Sequence, residues 1–542
     1  MVVIDSSQPA ILASSQGNRT PRQKAVASPR ARGNKLKRTR HRLIQGLCVA
    51  MVLLVPQVAW ASSFVTGPIV QVSGTSPFPA GCGLAPEDPN DPTASRLYLN
   101  SEVEPWVDVN PANGDNITGS WQQDRWSDGG SRGLVAGVSL DNGQSWTLSP
   151  VTGTSECTGG EYDRATDPWL SFSPDGSLHH VSLSFNVAGT DTTNAVIVNK
   201  SEDGGQTWSA PKTIIRDTRP TVFNDKESIT ADPKDPNYVY VIWDRLVFPR
   251  GERASIRAAE RAAAFAGPIW FSRSTDGGET YAPPRELFDP GILQQTIGNQ
   301  IVVRPQGELV DIFDLIQNTR KKATRGQNVA VIRSEDKGET WSDPIRFERM
   351  VDPEVTDPED GHAVRTADFN PDIAVDPNNG NLYAVWQDNR FDPGDHVSVA
   401  LSASTDGGFT WSRAVKVNNT PTSIPSGNQQ AFTPSVDVAD DGTVSVTYYD
   451  FRNNTSDPNT LPTDYWMVHC HPSSGSCSEA GNYGNEVRLT DVSFDMEKAP
   501  DAGGYFTGDY EGLANDGDDF TPFFSQPHAT DPASIFFRRV GP

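Results

Sequence analysis

Short runs of alternating apolar and polar residues recur along most of the chain, and turn-forming residues close each run. Clear examples lie at 104–111, 167–172, 227–232 and 371–376. A period of two is typical of a half-buried β-strand, whereas an amphipathic helix repeats every 3.6 residues. The 46 glycines and 42 prolines in 542 residues also disfavour long helices. The pattern predicts an all-β chain of short antiparallel strands.

A second pattern, Ser-x-Asp-x-Gly-x-Ser/Thr-Trp/Tyr, occurs five times. The copies begin at Ser139, Ser201, Ser274, Ser334 and Ser404. In each copy the Asp carboxylate can accept hydrogen bonds from the turn, the Gly permits a positive φ, and the aromatic ring packs against a neighbour. Copies at this spacing indicate stacked supersecondary units. Five copies with the same role favour a structural function over catalysis.

Each copy is placed between the third and fourth strands of a four-stranded unit. We count seven units, which predicts a seven-bladed β-propeller of four-stranded antiparallel blades. Six blades, with one unit misassigned, is the alternative. The segment 534–539 would be the third strand of the last blade. The segment 68–72 would supply the fourth strand and close the ring.

Residues 1–61 have the composition of an export signal. Ten Lys or Arg and one acid occupy residues 1–42, an apolar run follows at 43–58, and Ala59-Trp60-Ala61 matches a signal-peptidase site. A membrane anchor is the alternative, but the run is short for one. We therefore divide the chain into a signal peptide at 1–61, with a long basic start, and a single domain at 62–542. This domain would be secreted or periplasmic, with no membrane attachment after cleavage.

The net charge and the cysteine content limit the possible binding partners, disulfides and cofactors. The formal net charge of −24 argues against nucleic-acid binding and describes a self-repelling surface, and we expect a monomer. An even number of cysteines after the signal suggests two disulfides. Cys470 and Cys477 bracket a short hairpin, which leaves Cys82 with Cys157. The spacings do not match a zinc site and no cofactor-binding fingerprint occurs, so we expect neither a metal nor a cofactor.

The five boxes resemble the Asp-box repeats of the sialidase superfamily, and the resemblance covers essentially all of residues 62–542. It implies an exported, bacterial sialidase-like propeller. Similar boxes also occur in xyloglucanases and sortilin-type receptors, so the resemblance implies a fold more strongly than an activity. Sialidases bind the substrate carboxylate with three arginines and begin with an Arg-Ile-Pro or Arg-Leu-Pro motif. That motif is missing from 62–110, where Arg96 is followed by Leu-Tyr.

Four arginines near the ends of second strands are candidates for binding a substrate anion. They are Arg125, Arg245, Arg390 and Arg452, each close in sequence to an Asp. The guanidinium fork suits a carboxylate or sulfate. The alternative is that each arginine forms a salt bridge between blades.

Two departures from the repeat are candidates for catalysis. Asp225, Lys226 and Glu227 open the third unit, and a packed Lys–carboxylate pair can tune a general acid. Asp509 and Tyr510 open the last unit, and a Tyr beside carboxylates resembles the activated Tyr of sialidases. The alternatives are a solvated charge run and a tight glycine turn. We expect Asp225, Tyr510 and the arginines at 245, 390 and 452 to meet at the axis.

These observations support two hypotheses. The first is an exported glycoside hydrolase, exo-sialidase-like, that acts on acidic sugars in a glycan or glycoconjugate. The second is a non-catalytic propeller that binds a glycan or a protein. An Ala-rich segment at 253–265 is predicted to be a helix that covers the site.

Overall fold

The computed structural model describes residues 64–84, 94–249, 266–320, 322, 325–351, 354–366, 370–392 and 396–542. The predicted signal peptide and the predicted helix at 253–265 lie outside these ranges. The described residues form β-strands joined by turns, with short 3-10 helices, which confirms the all-β prediction. In the part of the chain so described, no helix is long and apolar enough to cross a membrane.

The strands of the first half of the chain follow the predicted units. Two short strands come first: β1 (Val65–Thr66) and β2 (Val70–Gln71). The first unit contains β3 (Glu102–Val109), β4 (Ile117–Arg125), β5 (Ser131–Ser139) and β6 (Thr147–Pro150). The second contains β7 (Arg164–Phe172), β8 (Leu178–Phe185), β9 (Asn194–Ser201) and β10 (Lys212–Asp217). The third contains β11 (Val222–Ala231), β12 (Val239–Val247), β13 (Ala266–Gly267), β14 (Ile269–Ser274) and β15 (Arg285–Phe288).

The second half continues this organisation with some additions. The fourth unit contains β16 (Gln294–Val303), β17 (Leu309–Ile316), β18 (Asn328–Ser334) and β19 (Ile345–Arg349). Two extra strands follow: β20 (Val355–Thr356) and β21 (Ala363–Arg365). The fifth unit contains β22 (Asp372–Val375), β23 (Leu382–Asp388), β24 (Ser398–Ser404) and β25 (Val415–Lys416). The sixth contains β26 (Ala431–Val438), β27 (Val444–Asp450), β28 (Pro462–Cys470) and β29 (Asn485–Arg488).

The chain ends in shorter strands and is interrupted by short helices. The last strands are β30 (Phe494–Asp495), β31 (Tyr505–Phe506), β32 (Asn515–Asp516), β33 (Asp519–Phe520), β34 (Phe523–His528), β35 (Asp531–Phe537) and β36 (Val540–Gly541). The 3-10 helices are Glu156–Thr158, Ser426–Gln429, Pro472–Ser474, Ala480–Asn482 and Met496–Lys498.

The two ends of the described chain pair with each other, as the sequence predicted. Strand β2 pairs antiparallel with β35, and Val70 lies opposite Phe537. Strand β35 pairs in turn with β34, and Gly512 forms a bridge to Phe523. This pairing covers an edge of β35 that would otherwise be exposed.

Hydrogen bonds join several neighbouring units, most of them through first strands. Six of these contacts are Phe172 N to Asp108 (2.7 Å), Ala231 N to Ser171 (3.1 Å), Thr230 to Ile301 O (2.8 Å), Val436 N to Asp372 (2.8 Å), Ser435 to Glu511 O (2.7 Å) and Ser525 to Glu102 O (2.8 Å). The apolar core lies between neighbouring units. One cluster, for example, packs Val181 and Val196 against Val241 and Trp243.

The five boxes form nearly identical turns. In the fourth box, Thr340 N and Oγ1 donate to Asp336 at 2.8 and 2.7 Å, and Gly338 N donates to the Ser334 hydroxyl at 2.8 Å. Gly338 has a φ of 83°, which a glycine adopts without strain. The aromatic ring is buried at Trp208 and half-buried at Trp341 and Trp411.

The structure contains both predicted disulfides. Cys82 and Cys157 have Cα atoms 5.2 Å apart, and Cys470 and Cys477 have Cα atoms 5.6 Å apart. The second disulfide closes the β28–β29 connection, at the place where five other units carry a box.

Candidate active site at the start of the first strands

Five first strands share one irregularity near their beginning. The antiparallel register shifts in β3, β7, β11, β16 and β26. At each shift one residue has a positive φ: Glu104, Asp167, Lys226, Gly298 and Thr433. A bulge of this kind redirects a side chain, and positive φ at non-glycine residues is costly and clusters at functional sites. The repeat therefore includes a strained position at this end of the units.

A cavity lies where these bulges meet. Its wall includes Trp106, Trp169 and the segments 226–228, 298–300, 370–372, 433–435 and 509–510. The volume open to the centres of water molecules is about 40 Å³. Such a space holds a few waters or one end of a larger ligand.

This cavity and the boxes lie at opposite ends of the strands. Ser139, which begins the first box, pairs with Ile117, and Ile117 pairs with Val109 at the end of β3. Glu104, by contrast, lies at the beginning of β3 and accepts a hydrogen bond from Gln122. The bulges and the boxes therefore lie at two opposite ends of the strands, which we name the bulge end and the box end.

One lysine holds three carboxylates together at the cavity. Lys226 Nζ lies 2.6 Å from Asp509 Oδ2, 3.1 Å from Asp167 Oδ1 and 3.5 Å from Glu104 Oε1. Arg365 also binds Asp509, with Nε 2.9 Å from Oδ1 and a terminal nitrogen 2.6 Å from Oδ2.

These contacts determine the charges. Burial would raise the pKa of Asp509, but Arg365 and then Lys226 lower it well below its usual range. Burial opposes the charge on Lys226, but the surrounding carboxylates, Asp167 first, raise its pKa above its ordinary value. Both groups are therefore ionised at neutral pH.

Among the residues described, no cluster of His, Cys, Asp and Glu is arranged to hold a metal ion.

Glu227 lies in a contrasting environment. It lines the cavity, only 2% of it is exposed, and neither carboxyl oxygen has a hydrogen-bond partner on another described residue. Burial, followed by the negative charge of Asp167, raises the pKa of Glu227 well above its usual value. Burial therefore favours the protonated form of this side chain, whose carboxyl group lines the cavity. An unpaired buried carboxyl is costly, and such groups mark functional sites.

Aromatic rings form one side of the cavity. The rings of Trp106 and Trp169 stack with centroids 3.4 Å apart. The Tyr510 ring meets Trp169 edge-on at 5.3 Å. Flat apolar surfaces of this kind, beside a few polar groups, are typical of small-ligand pockets.

The predicted catalytic residues are only partly brought together. Glu227, Asp509 and Tyr510 line the cavity, whereas Asp225 is buried beside it and pairs in register with Asp244. The Tyr510 hydroxyl donates to Pro168 O at 3.3 Å. Burial and then the surrounding carboxylates raise the pKa of Tyr510, the opposite of what an activated phenolate nucleophile requires.

The four predicted arginines do not line the cavity. Arg245 binds Asp217 at 2.7 Å, Arg390 binds Glu348 at 2.7 Å, and Arg452 binds Glu486 at 2.6 Å. The structure does not bring these three arginines to the cavity with Tyr510. Each binds a carboxylate of a fourth strand, and Arg390 and Arg452 also bind the neighbouring Asp388 and Asp450. The contacts of Arg245 and Arg390 join neighbouring units, as the salt-bridge alternative proposed. Arg125 is buried and donates to Gln122 at 2.7 Å.

Sequence reasoning gave no role to Asp167, Glu104 or Arg365. The first two precede a proline and a tryptophan, at Glu104-Pro105-Trp106 and Asp167-Pro168-Trp169. This repeated polar–Pro–Trp triplet is a signal that could have identified the bulges. Arg365 lies on β21, outside the repeated units, and no local pattern predicts its contact with Asp509.

Comparisons with known proteins give similar structures at low identity. No protein-family model and no curated protein sequence matches the chain. A protein of unknown function from Dyadobacter fermentans is 14% identical over 82% of this chain and 97% of its own, with a TM-score of 0.44. The alpha-L-arabinanase of Penicillium chrysogenum, complexed with arabinobiose, is 15% identical over 66% and 94%, with a TM-score of 0.42. A Hadza microbial sialidase is 16% identical over 79% and 74%, with a TM-score of 0.44. Similarities at this level do not assign an activity.

Proposed function

We propose that this protein is a glycoside hydrolase whose reaction takes place in the cavity at the bulge end, with Glu227 as the acid. The observation that carries the proposal is a buried carboxyl without partners, at Glu227, in the same cavity as the ion-paired carboxylate of Asp509. Environments that push the pKa values of neighbouring acids apart assign one as proton donor and the other as base or stabilising anion. Glu227 and Asp509 are such a pair.

The proposed reaction is hydrolysis of a glycosidic bond. Glu227 gives its proton to the leaving oxygen as the bond from that oxygen to the anomeric carbon breaks. A water molecule attacks the anomeric carbon and gives up a proton to Asp167. We assign the base to Asp167 because both oxygens of Asp509 already accept hydrogen bonds from Arg365 or Lys226. Lys226 holds Asp167 in place, and the negative charges of Asp167 and Asp509 stabilise the developing positive charge of the sugar.

We propose a neutral sugar as the substrate, in place of the acidic sugar expected from the sequence. Among the described residues the cavity wall contains four carboxyl groups, at Asp167, Glu227, Asp372 and Asp509. Its one cationic side chain, Lys226, already contacts three carboxylates. Since no arginine of the described chain lines the wall, an anionic substrate would meet repulsion without a compensating fork.

We also propose that the protein is a closed β-propeller and that it is exported from the cytoplasm. The hydrogen bonds that lead from one first strand to the next, and from Ser525 back to Glu102, support a closed ring of seven blades. The two disulfides support an exported protein with residues 1–61 as its signal, secreted or periplasmic and monomeric.

A non-catalytic protein that binds a glycan or another protein is the second candidate. The small volume of the cavity, about 40 Å³, favours it, because a whole sugar ring needs more room than a few waters. This candidate predicts binding without turnover.

The test is a hydrolysis screen with the purified full chain. Wild-type protein is incubated with neutral and acidic polysaccharides and aryl glycosides, and released sugar is measured beside Glu227→Gln. The matched control is Asp311→Asn, because Asp311 is also a fully buried carboxyl with a raised pKa but does not line the cavity. We expect turnover of a neutral substrate by wild type and control, and a loss of about 10²-fold or more in Glu227→Gln. No turnover of any substrate, or equal turnover by all three proteins, would overturn the proposal.

A further inference from the structure

A groove lies beside the fifth box, at the box end of the strands. It lies between the β22–β23 turn, the end of that box and the loop 472–478, and we name it the box-side groove. The volume open to the centres of water molecules is about 500 Å³, against about 40 Å³ at the bulge end. The box-side groove is therefore large enough for several sugar rings.

The groove exists because the sixth unit departs from the repeat. Its β28–β29 connection has no box and is closed instead by the Cys470–Cys477 disulfide. Cys477 itself lines the groove, so this disulfide holds one wall in place. The five boxed units are stable without such a loop. Stability alone therefore does not explain the loop, which makes it a candidate for a separate function.

Nearly all of the described residues that line the groove are uncharged. Trp411 is half-buried, lines the groove and stacks on Phe347 with ring centroids 4.1 Å apart, so its orientation is fixed. Amide and hydroxyl side chains surround it, including Asn379, Asn381 and Thr405. The one charged group among the described lining residues, Asp376, already accepts hydrogen bonds from Asn378 N and Asn379.

We propose that the box-side groove is a second binding site and that its ligand is a neutral oligosaccharide or polysaccharide chain. A rigid aromatic ring can stack on the apolar face of a sugar, and amides and hydroxyls can exchange hydrogen bonds with its hydroxyl groups. A charged ligand would find no ion-pair partner on the described lining. This proposal does not depend on hydrolysis at the bulge end.

The experiment is affinity gel electrophoresis of the full chain with arabinan, xylan or β-glucan in the gel, and with polygalacturonate as the charged probe. Two variants alter the groove. Trp411→Ala removes the stacking ring, and Thr405→Arg fills the groove. The second should fold normally, because other boxes carry Leu140, Glu202 and Glu335 at the equivalent position. Trp341→Ala is the matched control, since it removes the ring of a box that does not line the groove.

We expect at least one neutral polysaccharide to retard wild type, Trp341→Ala and Glu227→Gln alike. The polysaccharide should retard the Trp411→Ala and Thr405→Arg variants about tenfold less, or more weakly still. If Trp411→Ala does not fold, Thr405→Arg decides the result. No retardation by any neutral polymer, retardation by polygalacturonate alone, or groove variants that bind as wild type would each overturn the proposal. Because Glu227→Gln should still bind, failure here is distinct from failure of the proposed hydrolase.

Discussion

The two ends of the strands use carboxylates in opposite ways. At the box end, Asp336 is exposed and fully hydrogen-bonded, and its contacts with Thr340 lower its pKa to about 2. At the bulge end, Glu227 is buried without such contacts, and burial raises its pKa. The box Asp recurs in five units together with the Ser and Thr groups that bind it, whereas Glu227 occurs in one unit only. A satisfied, repeated acid therefore indicates a structural role, whereas an unsatisfied acid indicates chemistry where it also lines a cavity, as Glu227 does and Asp311 does not.

The largest change in stability is expected for Lys226→Met at the bulge end. This substitution leaves Asp167, Asp509 and Glu104 without the ammonium that all three contact. Breaking a buried charge cluster from one side costs about 3–5 kcal/mol. The control, Lys498→Met, removes an exposed pair with Asp495 and should cost less than about 1 kcal/mol. Denaturant unfolding of both variants measures the difference, and equal losses would show that the cluster is not a buried network.

A smaller effect is expected for Asp336→Ala at the box end. It removes the acceptor for Thr340 N and Oγ1 and should lower the free energy of unfolding by about 1–2 kcal/mol. Glu335→Ala, at the variable position of the same box, should change it little. Hydrolysis and ligand binding should be unaffected in both. A variant that melts normally but loses activity would contradict the structural role of the boxes.

The smallest effect is expected in the pH dependence of melting, which should distinguish acids whose pKa is raised from acids whose pKa is lowered. Burial raises the pKa of Glu104 and Asp437 to about 8, so these groups hold protons in the folded protein that the unfolded chain has released. Stability is therefore lost as pH rises from about 5 to 8. The pKa of Asp336 is lowered, and its contribution is lost as pH falls from about 4 to 2.

The melting temperature should therefore be highest near pH 5. Asp437→Asn should flatten the decline between pH 5 and 8 while leaving the acidic side unchanged. A melting temperature that rises steadily to pH 8 would show that the buried acids do not titrate in this direction.

Local patterns predicted the boxes and the strands, because each depends on residues that are close in sequence or on a simple alternation. The pairing of β2 with β35 is non-local, and it was predicted from the repeat, which left the last unit without a fourth strand. The arginines at 245, 390 and 452 do not reach the cavity that Tyr510 lines, for a different reason. Each lies near the end of a second strand, as expected, but each is held by carboxylates, on a fourth strand and, for Arg390 and Arg452, also on its own strand. The role of Arg365 was not predicted either, because its partner Asp509 is far away in sequence. The contacts that build the site are non-local, and sequence spacing does not contain them.

The measurement that tests the central claim most directly is the leaving-group dependence of Glu227→Gln. The neutral sugar found in the screen is offered as a polysaccharide, whose leaving oxygen needs a proton, and as a 2,4-dinitrophenyl glycoside, whose leaving group does not. We predict a loss of about 10²- to 10⁴-fold in kcat/KM on the polysaccharide and a much smaller loss on the aryl glycoside. The fall of wild-type activity at high pH, as Glu227 loses its proton, should also disappear. Equal losses on both substrates, or a pH profile that keeps its high-pH decline, would contradict the assignment of Glu227 as the acid.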